Sequence, residues 1–228
     1  MNAVVMGAAK GLGLCLTEQL LEKGCRVAAG TISVTPGLTA LKNKYGEALM
    51  IFTADITEEK QIMEGAEKCR AFLGTIDSVC IVAGILLDGD RNRTLQECDP
   101  ADLRKTFEVN LFGPIIFIRY FYPHLKEGAN VFLVTSEGAA ISNCGSWIPC
   151  YGLSKTAATK ACGILNQSVQ TVDFYAVHPG RMNTDMGRTT AQIEPEESAK
   201  GFCRLMNGET KISRNHWYID YNGKPMNN

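Results

Sequence analysis

The sequence lacks the features that mark nucleic-acid-binding and membrane-spanning proteins. Its 228 residues carry a formal net charge of −1, and no five successive residues share one sign of charge, which argues against nucleic acid or an anionic membrane as partner. No apolar run is long enough to span a bilayer, and no charged, apolar leader precedes the first predicted strand. We therefore expect no membrane association, a cytoplasmic location and a small-molecule partner.

The chain also lacks any Cys-x-x-Cys pair. Its nine cysteines are scattered along the sequence, and several fall in apolar stretches that are typical of a protein core. This pattern predicts reduced, buried thiols rather than a disulfide framework or a zinc centre. We predict no metal site.

Apolar runs bounded by turns alternate with longer segments of helical period. This alternation predicts an α/β fold, a doubly wound parallel sheet of about seven strands with helices on both faces. With 45% hydrophobic residues, the length suits a single domain over residues 1–228. The predicted strands are 2–6, 26–30, 48–53, 76–82, 130–135, 170–177 and 216–220. The predicted helices are 11–23, 37–45, 57–73, 100–123, 151–166 and 195–206.

A glycine-rich turn follows the first predicted strand. Gly7, Gly11 and Gly13 lie where the chain must turn sharply into a helix. Glycine permits that turn and lets a pyrophosphate approach the backbone N–H groups at the helix start. Lys10 and Leu12 belong to the same predicted phosphate site. Taken alone, the motif is also compatible with a turn that binds no ligand.

A tyrosine and a lysine four residues apart occur twice in the chain. Tyr151 and Lys155 follow the apolar run of the fifth predicted strand and open a predicted helix, on which they share one face. Tyr122 and Lys126 precede that strand, and Pro123 places them near a helix end. We predict that Tyr151 and Lys155 are functional and that the earlier pair is surface structure.

These motifs, in this order, resemble those of the short-chain dehydrogenase/reductase family, whose Rossmann fold binds NAD(P). Further matches extend over nearly the whole chain, although Met6 replaces a threonine of the glycine motif and Ile81 and Val82 replace two asparagines. The resemblance implies Tyr151 as general acid/base, Lys155 as its electrostatic tuner and ribose ligand, and Asn110 as support of a proton relay. It also implies cofactor contacts at Asp55, Ala83, Gly84, Tyr151, Lys155, Pro179, Gly180 and Thr184.

The serine that anchors the carbonyl is assigned to Ser136. It ends the fifth predicted strand in Thr135-Ser136, which matches the family's serine pair, but lies slightly farther from Tyr151 than is usual. A longer surface loop explains the spacing, since insertions there cost little. Ser142 is the alternative.

The absence of an acidic residue after the second predicted strand favours NADP(H) over NAD(H) as the cofactor. NAD-preferring sites usually place Asp or Glu about 20 residues beyond the glycines, but this region contains Thr31 and Ser33 instead, which can donate hydrogen bonds to a 2′-phosphate. In the family, a basic residue at the position of Lys10 accompanies NADP. We predict NADP(H) as the preferred cofactor, with NAD(H) as the alternative.

The predicted function is NADPH-dependent reduction of a ketone or aldehyde, the reverse of alcohol oxidation. Three segments of the carboxyl-terminal third, 178–187, 194–201 and 218–224, resemble those of sniffer-type carbonyl reductases and C-factor signalling proteins. An NADP-binding sensor with little or no catalysis is therefore the alternative. The segment Leu111 to Tyr122 is apolar on nearly every side, which favours a homodimer or homotetramer. Trp147, Ile148, Met182, Met186 and Ile193 are candidates to line a partly apolar substrate pocket, with structural packing as the alternative.

Overall fold

The sheet is parallel throughout, and its strands are buried along most of their length. The computed structural model describes residues 1–145, 147–187 and 191–227. The strands are β1 (Asn2–Met6), β2 (Arg26–Thr31), β3 (Leu49–Thr53), β4 (Ile76–Ile81), β5 (Leu125–Val134), β6 (Val172–His178) and β7 (Tyr218–Asp220). Within the described residues they lie in the order β3-β2-β1-β4-β5-β6-β7, which confirms the predicted fold class.

Helices cover both faces of the sheet, so each strand side chain meets apolar partners on either side. The helices are α1 (Gly11–Glu22), α2 (Pro36–Tyr45), α3 (Glu59–Leu73), α4 (Pro100–Phe107), α5 (Gly113–Phe121), α6 (Pro149–Ser168) and α7 (Pro195–Met206). One hydrophobic core lies beneath α1, α2 and α7, and the other beneath α3, α5 and α6. None of the helices in the described part of the chain is both long and apolar enough to cross a membrane.

The strand order reverses between β1 and β4. From β1 the chain moves outward through β2 and β3, and then returns to pair β4 with the other side of β1. In open α/β sheets, ligands bind outside the carboxyl ends of the strands at such a reversal. Both the glycine turn after β1 and Ala83-Gly84 after β4 lie at this point.

The predicted helix 100–123 is interrupted. A π-helical turn, Glu108–Phe112, separates α4 from α5 and contains the buried Asn110. Pro114 supplies the physical reason, because it has no N–H to donate to the carbonyl four residues earlier, that of Asn110. Single π turns of this kind occur frequently at functional sites.

Candidate active site

A cavity of about 650 Å³ opens at the carboxyl edge of the sheet. Most of its walls come from the irregular segments 84–99, 136–149 and 181–194, which follow β4, β5 and β6. Residues 146 and 188–190 of these segments lie outside the described residues. Of the predicted pocket residues, Ile193 does not line the cavity and packs against Gly180 instead. The cavity is lined by the other four, Trp147, Ile148, Met182 and Met186, together with Ser136, Tyr151, Pro179, Gly180 and Thr184.

The glycine turn is packed too closely for side chains. A Cβ atom on Gly13 would lie 2.0 Å from the carbonyl oxygen of Gly7, and Gly7 itself has a φ of +99°. Leu12 is buried in the core beneath α1, while Lys10 is exposed at the helix start. The turn therefore places backbone that no side chain covers at the carboxyl end of β1, which is the geometry that a bound pyrophosphate needs.

Ser136 and Tyr151 meet at the cavity wall. Burial raises the pKa of Tyr151 to about 12, and the nearby Ser136 side chain opposes that rise. The Ser136 hydroxyl also accepts from the Gly138 N–H at 3.2 Å. Ser142 is exposed and does not line the cavity. The structure thus brings Ser136, and not Ser142, to the tyrosine.

Lys155 lies below the tyrosine ring, with Nζ 5.7 Å from the ring centroid. Its ammonium donates to the Val134 carbonyl oxygen at 2.9 Å. Burial lowers the pKa of Lys155 to about 8. Burial thus favours the neutral form of both groups, and the lowering of the tyrosine pKa by Lys155 stays a prediction.

Asn110 is held by hydrogen bonds to two elements. Its Nδ2 donates to the Ile85 carbonyl at 2.9 Å, and its Oδ1 accepts from the Ile85 N–H at 2.8 Å. The same Nδ2 donates to Ser154 Oγ at 3.0 Å, and Ser154 Oγ donates to the Tyr151 carbonyl at 2.8 Å. Ser154, which the sequence did not single out, therefore connects the π turn to the helix that carries Tyr151.

Gly84 leaves no room for a side chain beside Lys155. A Cβ atom there would lie 3.1 Å from both Lys155 Nζ and Asn110 Oδ1. The preceding residues Val82 and Ala83 both donate from N–H to the Met6 carbonyl, at 2.8 and 2.9 Å. Backbone hydrogen bonds thus fix the end of β4 to β1, although the family's asparagines are absent.

The segment after β6 approaches the glycine turn from the other side. Gly180 has a φ of +80°, and Thr184 lies so near that a Cβ on Gly11 would be 3.4 Å from its Cγ2. Across the same opening, Lys10 forms an exposed ion pair with Asp185. The predicted phosphate and nicotinamide contacts therefore lie on facing walls of one cleft.

The predicted ribose and adenine contacts lie at the ends of β2 and β3. Thr31 is buried and its hydroxyl donates to the Ser33 carbonyl at 2.8 Å, whereas Ser33 is exposed. Asp55 Oδ1 accepts from the N–H and the hydroxyl of Thr57 at 2.9 and 2.8 Å. Of the two candidate donors at the end of β2, only Ser33 thus presents its side chain to solvent in this conformation.

Asp90 is a site residue that the sequence analysis missed. It is 1% exposed, and its two carboxylate oxygens accept from the N–H groups of Cys150 and Tyr151 at 2.9 and 2.8 Å. These N–H groups belong to the first turn of α6, where no earlier residue of the helix can satisfy them. Asp90 thereby fixes the backbone that carries the tyrosine.

Replacing Asp90 by Ala is expected to lower the free energy of unfolding by about 1–2 kcal/mol, since two helix N–H groups lose their acceptor. We also expect kcat to fall by up to about 100-fold, because a small displacement of Tyr151 spoils its alignment. Thermal denaturation and steady-state kinetics measure the two effects. Asp99→Ala is the matched control, since Asp99 caps α4 through the Ala101 N–H at 2.8 Å on an exposed surface. An equal loss of kcat in both variants would contradict this assignment.

The fold and the site together define an α/β protein with a cavity at the carboxyl edge of its parallel sheet, lined by Ser136 and Tyr151. The family model for short chain dehydrogenases matches residues 1–195. The chain therefore belongs to the short-chain dehydrogenase family, and family membership supports an oxidoreductase with a nicotinamide cofactor.

Proteins similar to this chain come from a fungus, a bacterium and an insect. The chain is 30% identical to an uncharacterized oxidoreductase of Schizosaccharomyces pombe, over 92% of this chain and 82% of that protein. A carbonyl reductase from Pseudomonas aeruginosa PAO1, solved in complex with NADP, is 26% identical with a TM-score of 0.83, over 99% of this chain and 98% of that one. The carbonyl reductase Sniffer of D. melanogaster shares the fold, with a TM-score of 0.89 and 18% identity, over 99% and 98% of the two chains.

Proposed function

We propose that this protein is an NADP(H)-dependent carbonyl reductase, which interconverts a ketone or aldehyde with the corresponding alcohol. The observation that carries the proposal is the meeting of the Ser136 and Tyr151 side chains at the cavity wall, with Lys155 beneath the tyrosine ring. An acid/base group of this kind has no purpose in a protein that only binds a nucleotide. We therefore favour the enzyme over the sensor.

The residues around the reversal of strand order fit a dinucleotide. A side chain at Gly7 or Gly13 would clash with the backbone of the glycine turn or with the backbone just after β4, and a side chain at Gly84 would crowd Lys155 and Asn110. We propose that the turn holds the pyrophosphate, that Asp55 meets the adenine, and that Pro179, Gly180 and Thr184 meet the nicotinamide. The cofactor, when bound, supplies the hydride.

Tyr151 donates the proton in the direction of reduction. With a pKa near 12, its hydroxyl is protonated at neutral pH and available to the carbonyl oxygen. Ser136 donates a hydrogen bond to that oxygen and orients it. Lys155, a buried cation, stabilises the phenolate that remains after the transfer, since an ammonium nearby favours the charged form. Asn110 fixes the position of the π turn relative to α6 through its hydrogen bond to Ser154.

The cofactor preference rests on Lys10 and Ser33 and on the absence of an acid after β2. We expect Lys10→Ala to raise the KM for NADPH about three- to tenfold, because one charge-assisted hydrogen bond to a phosphate is lost, and to leave the KM for NADH nearly unchanged. The matched control is Lys23→Ala, which removes an exposed ion pair with Glu209 at the other end of α1. Parallel kinetics with both cofactors provide the measurement, and equal KM values for NADPH and NADH in the parent protein would refute the preference.

The activity is tested by NADPH oxidation over diketones, quinones, keto-steroids and aromatic aldehydes, followed by absorbance. The partly apolar cavity walls lead us to expect turnover of at least one of these classes. NADPH binding without turnover of any carbonyl would favour the sensor instead.

We also propose a homodimer or homotetramer. The outward face of the π turn and α5 exposes Phe112 and Ile115, at 46% and 43% of their surface, and α6 exposes Leu153 and Ile164 at 44% and 57%. Exposed apolar side chains on these two helical segments favour burial against a second copy. Sedimentation showing only a 24.9 kDa species at micromolar concentration would argue against it.

A further inference from the structure

A buried carboxylate and two thiols converge behind the tyrosine. One ligand atom each from Asp90, Cys98 and Cys150 lies within 4.8 Å of the other two. Cys98 Sγ is 3.8 Å from Asp90 Oδ1. Cys150 and Asp90 are buried, whereas Cys98 is partly exposed and leaves a path from solvent.

The Asp90 side chain is buried, with 1% of its surface exposed, and in the described part of the chain no cationic side chain forms an ion pair with it. Its partners are the two N–H groups of α6 and the Cys98 thiol. A buried anion beside two neutral thiols is a favourable place for a cation, because cation binding repays the cost of burying the negative charge.

We propose that Asp90, Cys98 and Cys150 form a binding site for a thiophilic divalent cation, of the Zn²⁺ or Cd²⁺ type. Two sulfurs and one carboxylate oxygen are ligands that zinc accepts, and two sulfurs on a tetrahedral zinc lie about 3.8 Å apart. The three groups therefore need to move by about 1 Å to reach that separation. Water takes the fourth position, on the side where Cys98 is open to solvent.

Metal binding at this site releases two protons. The thiols of Cys98 and Cys150 bind as thiolates and pass their protons to the buffer, so that affinity rises with pH. In the metal-free protein, burial and then the nearby Cys98 and Asp90 raise the pKa of the Cys150 thiol above its usual range. Because Asp90 also holds the first turn of α6, the bound ion ties Cys98 and the segment before α4 to that turn and stabilises the fold.

The site is tested with Cd²⁺ on the full chain, kept reduced by a phosphine. We expect a thiolate-to-cadmium charge-transfer band in the ultraviolet, saturating at one ion per chain, together with proton release and a higher Tm. Cys98→Ser is expected to remove most of this band and to weaken Cd²⁺ binding by more than about tenfold. Carbonyl reduction is not needed for any of these readouts, so the result is independent of the proposed function.

Two controls locate the ion. Cys15→Ser removes another thiol beside a carboxylate, since Cys15 Sγ lies 3.5 Å from Glu196 Oε1, and Cys144→Ser removes an exposed thiol. Neither variant is expected to change the titration. An unchanged band in Cys98→Ser, or a band lost in either control, would overturn the proposal. Because Cys150 is fully buried, its Ser variant is added only if its circular dichroism matches the parent.

Discussion

Replacing Tyr151 by Phe is expected to reduce the turnover of carbonyl substrates by about 100- to 10,000-fold, the usual contribution of a positioned acid or base. The substitution removes only the hydroxyl and keeps the buried ring, so the cavity and the packing over Lys155 are preserved. NADPH affinity is expected to change little, because the glycine turn is untouched. Single-turnover kinetics and NADPH fluorescence titration measure the two quantities separately.

The chain contains its own control for this experiment. Tyr122 also has a lysine four residues later, but it lies beside the amino end of β5, away from the cavity, where its hydroxyl is 3.3 Å from Thr171 Oγ1. Tyr122→Phe is expected to leave turnover unchanged. Full activity in Tyr151→Phe would refute the acid/base assignment, and a comparable loss in Tyr122→Phe would show that the effect is not specific.

Local sterics made much of the site predictable. The Gly7 to Gly13 turn, the helix that starts with it and the pair Tyr151 and Lys155 depend on short spacings and on backbone geometry, both of which are visible in the sequence. The parallel sheet with helices on both faces follows from the alternation of strands and helices along the chain. Element ends shifted by a few residues, as expected where packing and not propensity decides them.

Long-range contacts account for what the sequence did not predict. Asp90 bonds to a helix turn 60 and 61 residues later, and no pattern in the chain marks that pairing. Ser154 sits within the predicted motif, yet its role depends on Asn110, 44 residues earlier. The burial that raises the pKa of Tyr151 is likewise a property of the folded chain, which no local pattern in the sequence shows.

Replacing Lys155 by Met is expected to lower kcat/KM by about 100- to 1,000-fold, because the phenolate loses its stabilising cation. The same change is expected to raise the free energy of unfolding at pH 7. Lys155 has a pKa of about 8 in the folded protein against an ordinary value of 10.5. Burial of the ammonium therefore lowers the free energy of unfolding of the parent by about 3 kcal/mol. The variant is free of this penalty, but it loses the hydrogen bond to the Val134 carbonyl, which lowers its free energy of unfolding by about 1 kcal/mol. The net gain for Met is about 2 kcal/mol.

The pH dependence gives this prediction a sharper test. The folded protein binds the lysine proton less tightly than the unfolded chain does, so the parent gains stability relative to Lys155→Met as pH rises from about 8 to 10.5. The amount by which Lys155→Met is more stable than the parent should be largest below pH 8 and should decrease from pH 8 to pH 10.5. Denaturant unfolding of both proteins over this pH range measures it. Lys160→Met, on the exposed side of the same helix, should show neither the gain nor the pH dependence. If Lys155→Met is less stable than the parent at pH 7, or if the difference stays constant up to pH 10.5, the ammonium is not destabilised by burial. A simultaneous loss of activity and gain of stability would instead identify Lys155 as a charge kept in the core for its function, at the expense of the fold.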